Sequence, residues 1–307
     1  MTPPKVSIIV PVYNRENTLG RSLKSIKEQT FSDFEVLLIN DGSTDASKAI
    51  IEECIKDDSR FRVINKDNGG VASARQLGKN IANGDYAIHV DPDDWIEPSM
   101  LQDLYMTAIS EHSDMVICDI LEETDGQQNV LCQQPEQCDY LSVLSGLFKN
   151  QHGSCCNKLI SRKFYKSENF EPDINITEDL LYISKILLKG PKITYISYPY
   201  YHYVISSGTS QSKIFKAERF FQIQKSFTQL LKLTSNYQDI QFLIRRKFIP
   251  YLGYIGLKSK DLSASAFRKA FKGNYIFFLR NAKLTKEKVA FILALLGGKR
   301  LLSLIIK

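Results

Sequence analysis

The first hundred residues repeat a pattern that few folds can satisfy. Short apolar, β-branched runs alternate with segments whose apolar residues recur at helical spacing. The runs are VSIIV (6–10), FEVLLIN (34–40), FRVIN (61–65) and YAIHV (86–90). Between them, TLGRSLKSIKEQ (18–29) places Leu19, Leu23 and Ile26 along one helical face, and ASKAIIEECIKD (46–57) and VASARQLGKNIA (71–82) also read as helices. Strands alternating with helices of this length predict βαβ units, hence an α/β fold with a mostly parallel sheet flanked by helices. Ligands of such sheets gather beyond the carboxyl ends of the strands. Those ends carry PVYN (11–14), NDGSTD (40–45), KDNGG (66–70) and DPDD (91–94).

Each of these stretches has a bland reading beside a chemical one. DPDD is either a solvated acidic turn or a divalent-cation site for a diphosphate, since Mg²⁺ and Mn²⁺ take one or two carboxylates plus phosphate oxygens. Its spacing is not that of a calcium loop, which needs a Gly and a final Glu. NDGSTD supplies N-cap residues for the next helix, yet Asn40 and Asp41 stand where a ligand's base edge would lie. KDNGGVASARQLG matches neither a P-loop nor a dinucleotide fingerprint. Its Gly-Gly turn with Arg75 behind it fits a diphosphate contact, and Arg75 as a surface helix residue fits equally. Glu178 and Asp179 open the helix EDLLYISKILLKG (178–190), where acids ordinarily serve as electrostatic caps.

The rest of the chain is less regular. PSMLQDLYMTAISEH (98–112) reads as a helix, DMVICDI (114–120) as a strand, and the polar stretch 122–139 as a loop or excursion. Residues 216–249 read as basic helix. The tail VAFILALLGGKRLLSLIIK (289–307) is apolar but broken by Gly297, Gly298, Lys299 and Arg300, so neither half reaches the ~20 residues of a membrane span.

Charge divides the chain. Residues 1–212 carry 20 Lys+Arg and 30 Asp+Glu, a net of −10, whereas residues 213–307 carry 20 and 4, a net of +16. The six cysteines form no C-x-x-C pair, which argues against a zinc or redox motif and for a reduced, cytoplasmic setting. The start, MTPPKVSIIVPVY, has no secretory h-region.

The order VSIIVPVYN, EVLLINDGSTD, NGGVASARQLG, YAIHVDPDDW, ITEDLLY resembles the family-2 glycosyltransferases of the GT-A fold. It is most similar to bacterial members that build capsule, exopolysaccharide or lipopolysaccharide. The likeness is close over residues 5 to about 100, looser to YYHYVISSGTSQS (200–212), and fades beyond. It implies a catalytic domain over 1–212, with a nucleotide-sugar-binding half (1–97) and an acceptor half (98–212), followed by a basic helical region over 213–307. The donor implied is a UDP-sugar and the cofactor Mg²⁺ or Mn²⁺. The acceptor implied is a hydroxyl of a growing glycan or lipid-linked oligosaccharide.

Residue by residue, the resemblance implies that Pro11, Tyr13 and Asn14 line the nucleotide base and ribose, with Asn40 and Asp41 beside them. Asn40 departs from the acidic pair of the family. Lys66, Asn68, Gly70 and Arg75 match the turn next to the nucleotide, and Gln76 replaces an Asn frequent after that Arg. Asp93 matches the direct metal ligand, Asp91 the ribose or metal shell, and Asp94 a support that borders acceptor or diphosphate. Asp179 matches the catalytic base with Glu178 beside it. Lys158 and His202 fall in segments that border acceptor or diphosphate in relatives.

Two rivals remain. A nucleotidyltransferase would carry a Gly-rich basic loop after the first strand, and PVYNREN has no glycine. A non-catalytic sugar-nucleotide binder would be expected to lose DPDD or the Glu-Asp pair, and both are intact. The basic back half fits a solvated helical bundle, or a surface lying on an anionic membrane leaflet, which would make the protein peripheral at the inner face of the plasma membrane. It has no nucleic-acid reader motif, so nucleic acid is not an expected partner.

Overall fold

In the computed structural model, residues 3–205, 215–259 and 261–281 are described. The tail 289–307, read above as an interrupted apolar stretch, lies outside them, as does all of SSGTSQS (206–212). The chain divides into two compact units, Met1–Ser210 and Gln211–Lys307.

The first unit runs β1 (Val6–Val12), α1 (Leu19–Lys27), β2 (Phe34–Asp41), α2 (Ser47–Ile55), β3 (Phe61–Lys66), α3 (Val71–Ile81) and β4 (Tyr86–His89). These are the predicted elements within a residue or two at each end. β5 (Trp95–Ile96), α4 (Met100–Ser110), β6 (Met115–Thr124), β7 (Gln127–Leu131), α5 (Tyr140–Lys149), β8 (Lys158–Ser161), α6 (Arg162–Tyr165), α7 (Glu178–Leu187) and β9 (Ile193–Ile205) follow. They form one nine-stranded sheet of order β3-β2-β1-β4-β8-β6-β9-β5, with β7 paired to β6.

The pairs β3–β2, β2–β1, β1–β4 and β6–β9 are parallel. The sheet is nonetheless mixed, because β8 lies antiparallel between β4 and β6, and β5 runs against β9. β1 and most of β2 are fully buried, as strands covered by helices on both faces must be. α3 approaches β1 so closely that a Cβ at Gly78 would strike Ile9, so glycine sets the helix–sheet spacing. The parallel register brings Val12 opposite Asn40 and Asn40 opposite Asn65, which puts the first three loops at one sheet edge.

The stretch 122–139, expected as a loop or excursion, opens with a hairpin and is without helix or strand from 132 to 139. β6 continues to Thr124 and turns back into β7 through Asp125 and Gly126, both at positive φ (48° and 82°). That is the backbone of a two-residue hairpin turn.

The second unit contains α8 (Ala217–Leu233), α9 (Gln238–Lys258), α10 (Ala264–Phe271) and α11 (Tyr275–Asn281). The basic helical stretch expected over 216–249 falls in two helices, with Thr234 bonding back to the Leu230 carbonyl at the break. Phe227 stacks on Phe248, and Phe220, Phe267, Phe271 and Phe278 are fully buried, so an aromatic core holds the unit together. Among the described residues no helix is long and apolar enough to cross a membrane.

Candidate functional site

The four loops predicted to hold a ligand are stitched to one another. Asn14 takes a left-handed backbone (φ 50°). Its N–H donates to Ser43 Oγ at 3.1 Å, and its Oδ1 accepts from the Thr44 N–H at 2.8 Å. This joins the β1 loop to the β2 loop. Pro11 is buried within β1, and Tyr13 stands 44% exposed at the loop tip. Asn40 donates to Asn65 Oδ1 (2.8 Å) and accepts from the Ser43 N–H (3.1 Å).

Asp41 is buried and joins the β2 and β3 loops. Its carboxylate accepts from the N–H groups of Gly69 (2.9 Å) and Gly70 (2.8 Å) and from Lys66 Nζ. Asn68 closes the same turn by donating to the Asp41 carbonyl at 3.0 Å. Lys66, Asn68 and Gly70 therefore converge around Asp41. Gly70 sits at φ +84°, with the Asn175 amide where a Cβ would point. Asn175 Oδ1 also accepts from the Ala72 N–H at 3.1 Å, which brings a distant segment over the start of α3.

Arg75 is not a surface residue. It is buried on α3, and its guanidinium donates through Nη2 to Asp91 Oδ1 (2.7 Å) and through Nη1 to Glu178 Oε1. One side chain thus ties DPDD to the acidic pair at the start of α7, 103 residues away. Burial works against the charge on Asp91, but Arg75 outweighs it and holds the Asp91 carboxyl below its ordinary range. Burial and the neighbouring Asp179 push Glu178 up to about 7 against the opposing pull of Arg75.

The three acids of DPDD separate by environment. Asp91 is mostly covered, and its second oxygen accepts from the Cys156 thiol at 3.4 Å. Asp93 keeps 43% of its side chain exposed and faces Arg15 Nε at 3.5 Å. Partial desolvation and the charge on Asp91 raise its carboxyl. Asp94 is fully buried, and both its oxygens are engaged, by Tyr201 Oη at 2.6 Å and the Val204 N–H at 2.9 Å. Tyr201 Oη also accepts from the Asp91 N–H at 3.2 Å, so β9 pins the acidic loop from behind. Asp94 supports the loop and offers no free oxygen to acceptor or diphosphate.

At α7, Glu178 is buried against Arg75, while Asp179 is half-buried and accepts from its own Leu180 N–H at 2.7 Å. Thr177 just before them is left-handed (φ 66°), a strained setting for a β-branched residue. Of this pair, Asp179 has the accessible carboxylate.

Two residues expected to border acceptor or diphosphate are committed elsewhere. Lys158 is buried, with Nζ donating to the carbonyls of His152 and Ser154 and to Asn157 Oδ1. Burial pulls its pKa down to about 8. His202 is buried between Glu123 (2.9 Å) and Glu97 (2.8 Å) and stacks on Trp95 at 3.3 Å. Both residues have spent their polar groups on the fold.

The reading of the sequence missed Arg15, Tyr201, Cys156 and Asn175. Arg15 had a local signal, lying next to PVYN. The others contact the site through partners 65 to 110 residues away.

The model for "Glycosyl transferase family 2" matches residues 7–167, about half the chain. Putative glycosyltransferase EpsH of Bacillus subtilis is 31% identical over 214 residues, 67% of this chain and 62% of its own length. The chain thus spans less than two thirds of that relative. Staphylococcus aureus TarS residues 1–349, solved with UDP-GlcNAc, has the same fold (TM-score 0.71, 20% identity, 96% of this chain and 88% of that one). So does a mannosyltransferase from Pyrobaculum calidifontis, solved with GDP-Man and Mn²⁺ (TM-score 0.58, 15% identity, 97% and 88%). With the family model matched across the four loops and the GT-A sheet beneath them, this chain belongs to glycosyl transferase family 2.

Proposed function

We propose that the protein transfers a glycosyl group from a UDP-sugar to a hydroxyl of a growing glycan or lipid-linked oligosaccharide in surface-polysaccharide synthesis, with inversion at the anomeric carbon. The observation that carries this reading is the Arg75 bridge, in which one buried cation joins Asp91 of DPDD to Glu178 at the start of α7. The UDP-GlcNAc held by TarS supports the donor class.

In this reading Tyr13, Asn14 and Asn40 border the base and ribose. The Asp41-braced Gly69-Gly70 turn backs the diphosphate. Asp93 and Asp91 would hold Mg²⁺ or Mn²⁺. Among the described residues no three His, Cys, Asp or Glu form a ready cage. Two carboxylates, one raised by partial burial and by the charge of the other, still suit a cation that completes its shell with diphosphate oxygens and water. The Mn²⁺ in the mannosyltransferase structure supports the same choice. When bound, such a cation neutralises charge growing on the departing diphosphate.

Asp179 accepts the proton of the acceptor hydroxyl as its oxygen bonds to the anomeric carbon. The bond from that carbon to the diphosphate oxygen breaks, and its electron pair leaves with UDP. A single displacement turns an α-linked donor into a β-linked product. Glu178 and Arg75 position Asp179 and Asp91. The catalytic unit works at the inner face of the plasma membrane, where lipid-linked acceptors are presented.

Thermal unfolding with UDP, with and without Mn²⁺, tests the reading. The expected result is a larger rise in Tm when both are present, about 2.7 kcal/mol of stabilisation at a hundred times Kd. If no nucleoside diphosphate stabilises the protein with or without metal, the reading fails. A panel of nucleotide sugars, scored for hydrolysis and transfer, then identifies the sugar.

A further inference from the structure

The second unit is built for charge contrast. Residues 213–307 carry 20 Lys+Arg against 4 Asp+Glu. Its aromatic residues fill the core, yet some large apolar side chains are left outside it. Phe242 on α9 is 52% exposed and Ile276 on α11 is 68% exposed. Each has an exposed arginine four residues on, Arg246 and Arg280, which places it one turn along the same helical side. The two helices are neighbours here. The Phe242 ring meets Phe277 edge-on at 5.7 Å, and Arg245 donates to Asn274 at 2.9 Å. Phe278 on the inner side of α11 packs over Gly253 of α9 and leaves Ile276 facing outward. Among the described residues neither Arg246 nor Arg280 has an ion-pair partner.

Apolar tips flanked by unpaired arginines, on a unit of strong positive charge, match the boundary of an anionic bilayer. There the rings enter the acyl edge and the guanidinium groups meet lipid phosphates. A protein partner would need a complementary acidic surface with its own pockets, whereas a leaflet offers charge and apolar depth without shape. We propose that the α9–α11 side bearing Phe242, Arg246, Ile276 and Arg280 docks on an anionic lipid surface. This deepens the membrane placement given above and names its contact face. It does not depend on the identity of donor or acceptor.

The test is co-sedimentation of the full chain with vesicles of phosphatidylcholine alone or mixed with phosphatidylglycerol, at low and high salt. The wild type is expected on the anionic vesicles and to leave them as salt rises. Arg246→Gln with Arg280→Gln should lower partitioning roughly 30-fold, at about fivefold for each arginine brought to the surface. Phe242→Ser with Ile276→Ser should lower it at both salt concentrations. All four residues lie on the unit's outside, so circular dichroism should be unchanged, as should UDP-dependent thermal stabilisation. Wild-type binding in both double variants overturns the proposal, whether the vesicles are held by another part of the chain or not at all. So does equal binding to neutral and anionic vesicles. Loss of UDP stabilisation with vesicle binding intact would sink the donor reading and leave this one standing.

Discussion

Arg75 shows how much of a site can rest on one side chain. Buried itself, it faces the mostly covered Asp91 and the buried Glu178, and removing it would leave both carboxylates without a counter-charge. Arg75→Met is expected to cost about 3–5 kcal/mol, the usual penalty for breaking a buried ion pair on one side. Urea unfolding measures it, and Arg75→Lys should recover part of the loss because it restores charge without the fork. A variant as stable as wild type would mean that the bridge is not holding the two loops. The two neighbouring acids that Arg75 does not hold, Asp179 and Asp93, should behave differently from each other. Asp179→Asn should reduce kcat about 10²–10⁴-fold, the range for a lost general base, with Mn²⁺-dependent UDP binding retained. Asp93→Ala should lose that metal-dependent binding itself, read by titrating UDP with and without Mn²⁺. Full turnover in the first variant, or unchanged metal dependence in the second, would reverse the roles given to them. The sequence could show that these residues were acidic and near strand or helix ends. It could not show that Arg75 reaches both, because its partners stand 16 and 103 positions away.

At the scale of elements, the parallel half was legible because its signals are local: continuous apolar runs, period-3.6 helices and polar loops in fixed order. The second half was harder for a physical reason. β8 has four residues and β5 two, too short to display a period, and what makes them strands is the neighbour each pairs with. The β6–β7 hairpin is a different case. Asp125-Gly126 is a strong local turn signal, and the glutamine-rich flanks hid it because β7 is exposed and has no apolar face to alternate. Gly70 shows the same interplay in the site. Its left-handed φ is a local demand, while the Asn175 amide above it is a tertiary one. Gly70→Ala must meet both, so a loss of at least about 1 kcal/mol is expected. A weaker UDP response should come with it, since the N–H of Gly70 is one of the groups that fix Asp41. Thermal unfolding of the variant with and without UDP and Mn²⁺ separates the two effects. An unchanged Tm would mean that neither the left-handed backbone nor the Asn175 amide resists a side chain at this position.

For the molecule as a whole, the sheet buries a titratable group next to its own active edge. His89 ends β4 just before DPDD, fully covered, with Nδ1 lacking a hydrogen-bond partner among the described residues. Burial, and then the nearby Arg75 charge, depress its pKa to about 3. The unfolded imidazole binds a proton below about pH 6.5, whereas the folded one stays neutral well below that. Between these values the unfolded chain holds more protons, so stability is full above pH 6.5 and falls as acid is added, by up to about 1.4 kcal/mol per pH unit. Asp91, with its lowered carboxyl, adds a loss of the same sign at more acid pH. Glu178, raised to about 7, works in the opposite direction between its ordinary range and neutrality. Only a difference between variants isolates the histidine. His89→Leu keeps an apolar side chain against Phe170, whose ring His89 meets edge-on at 5.7 Å, and removes the titration. In urea midpoints measured from about pH 7.5 down to about pH 4.5, the wild type should lose ground to the variant as the pH falls, whichever is the more stable at neutrality. Parallel curves would mean that His89 is protonated in the folded state, and that the carboxylates at the sheet edge reach it after all.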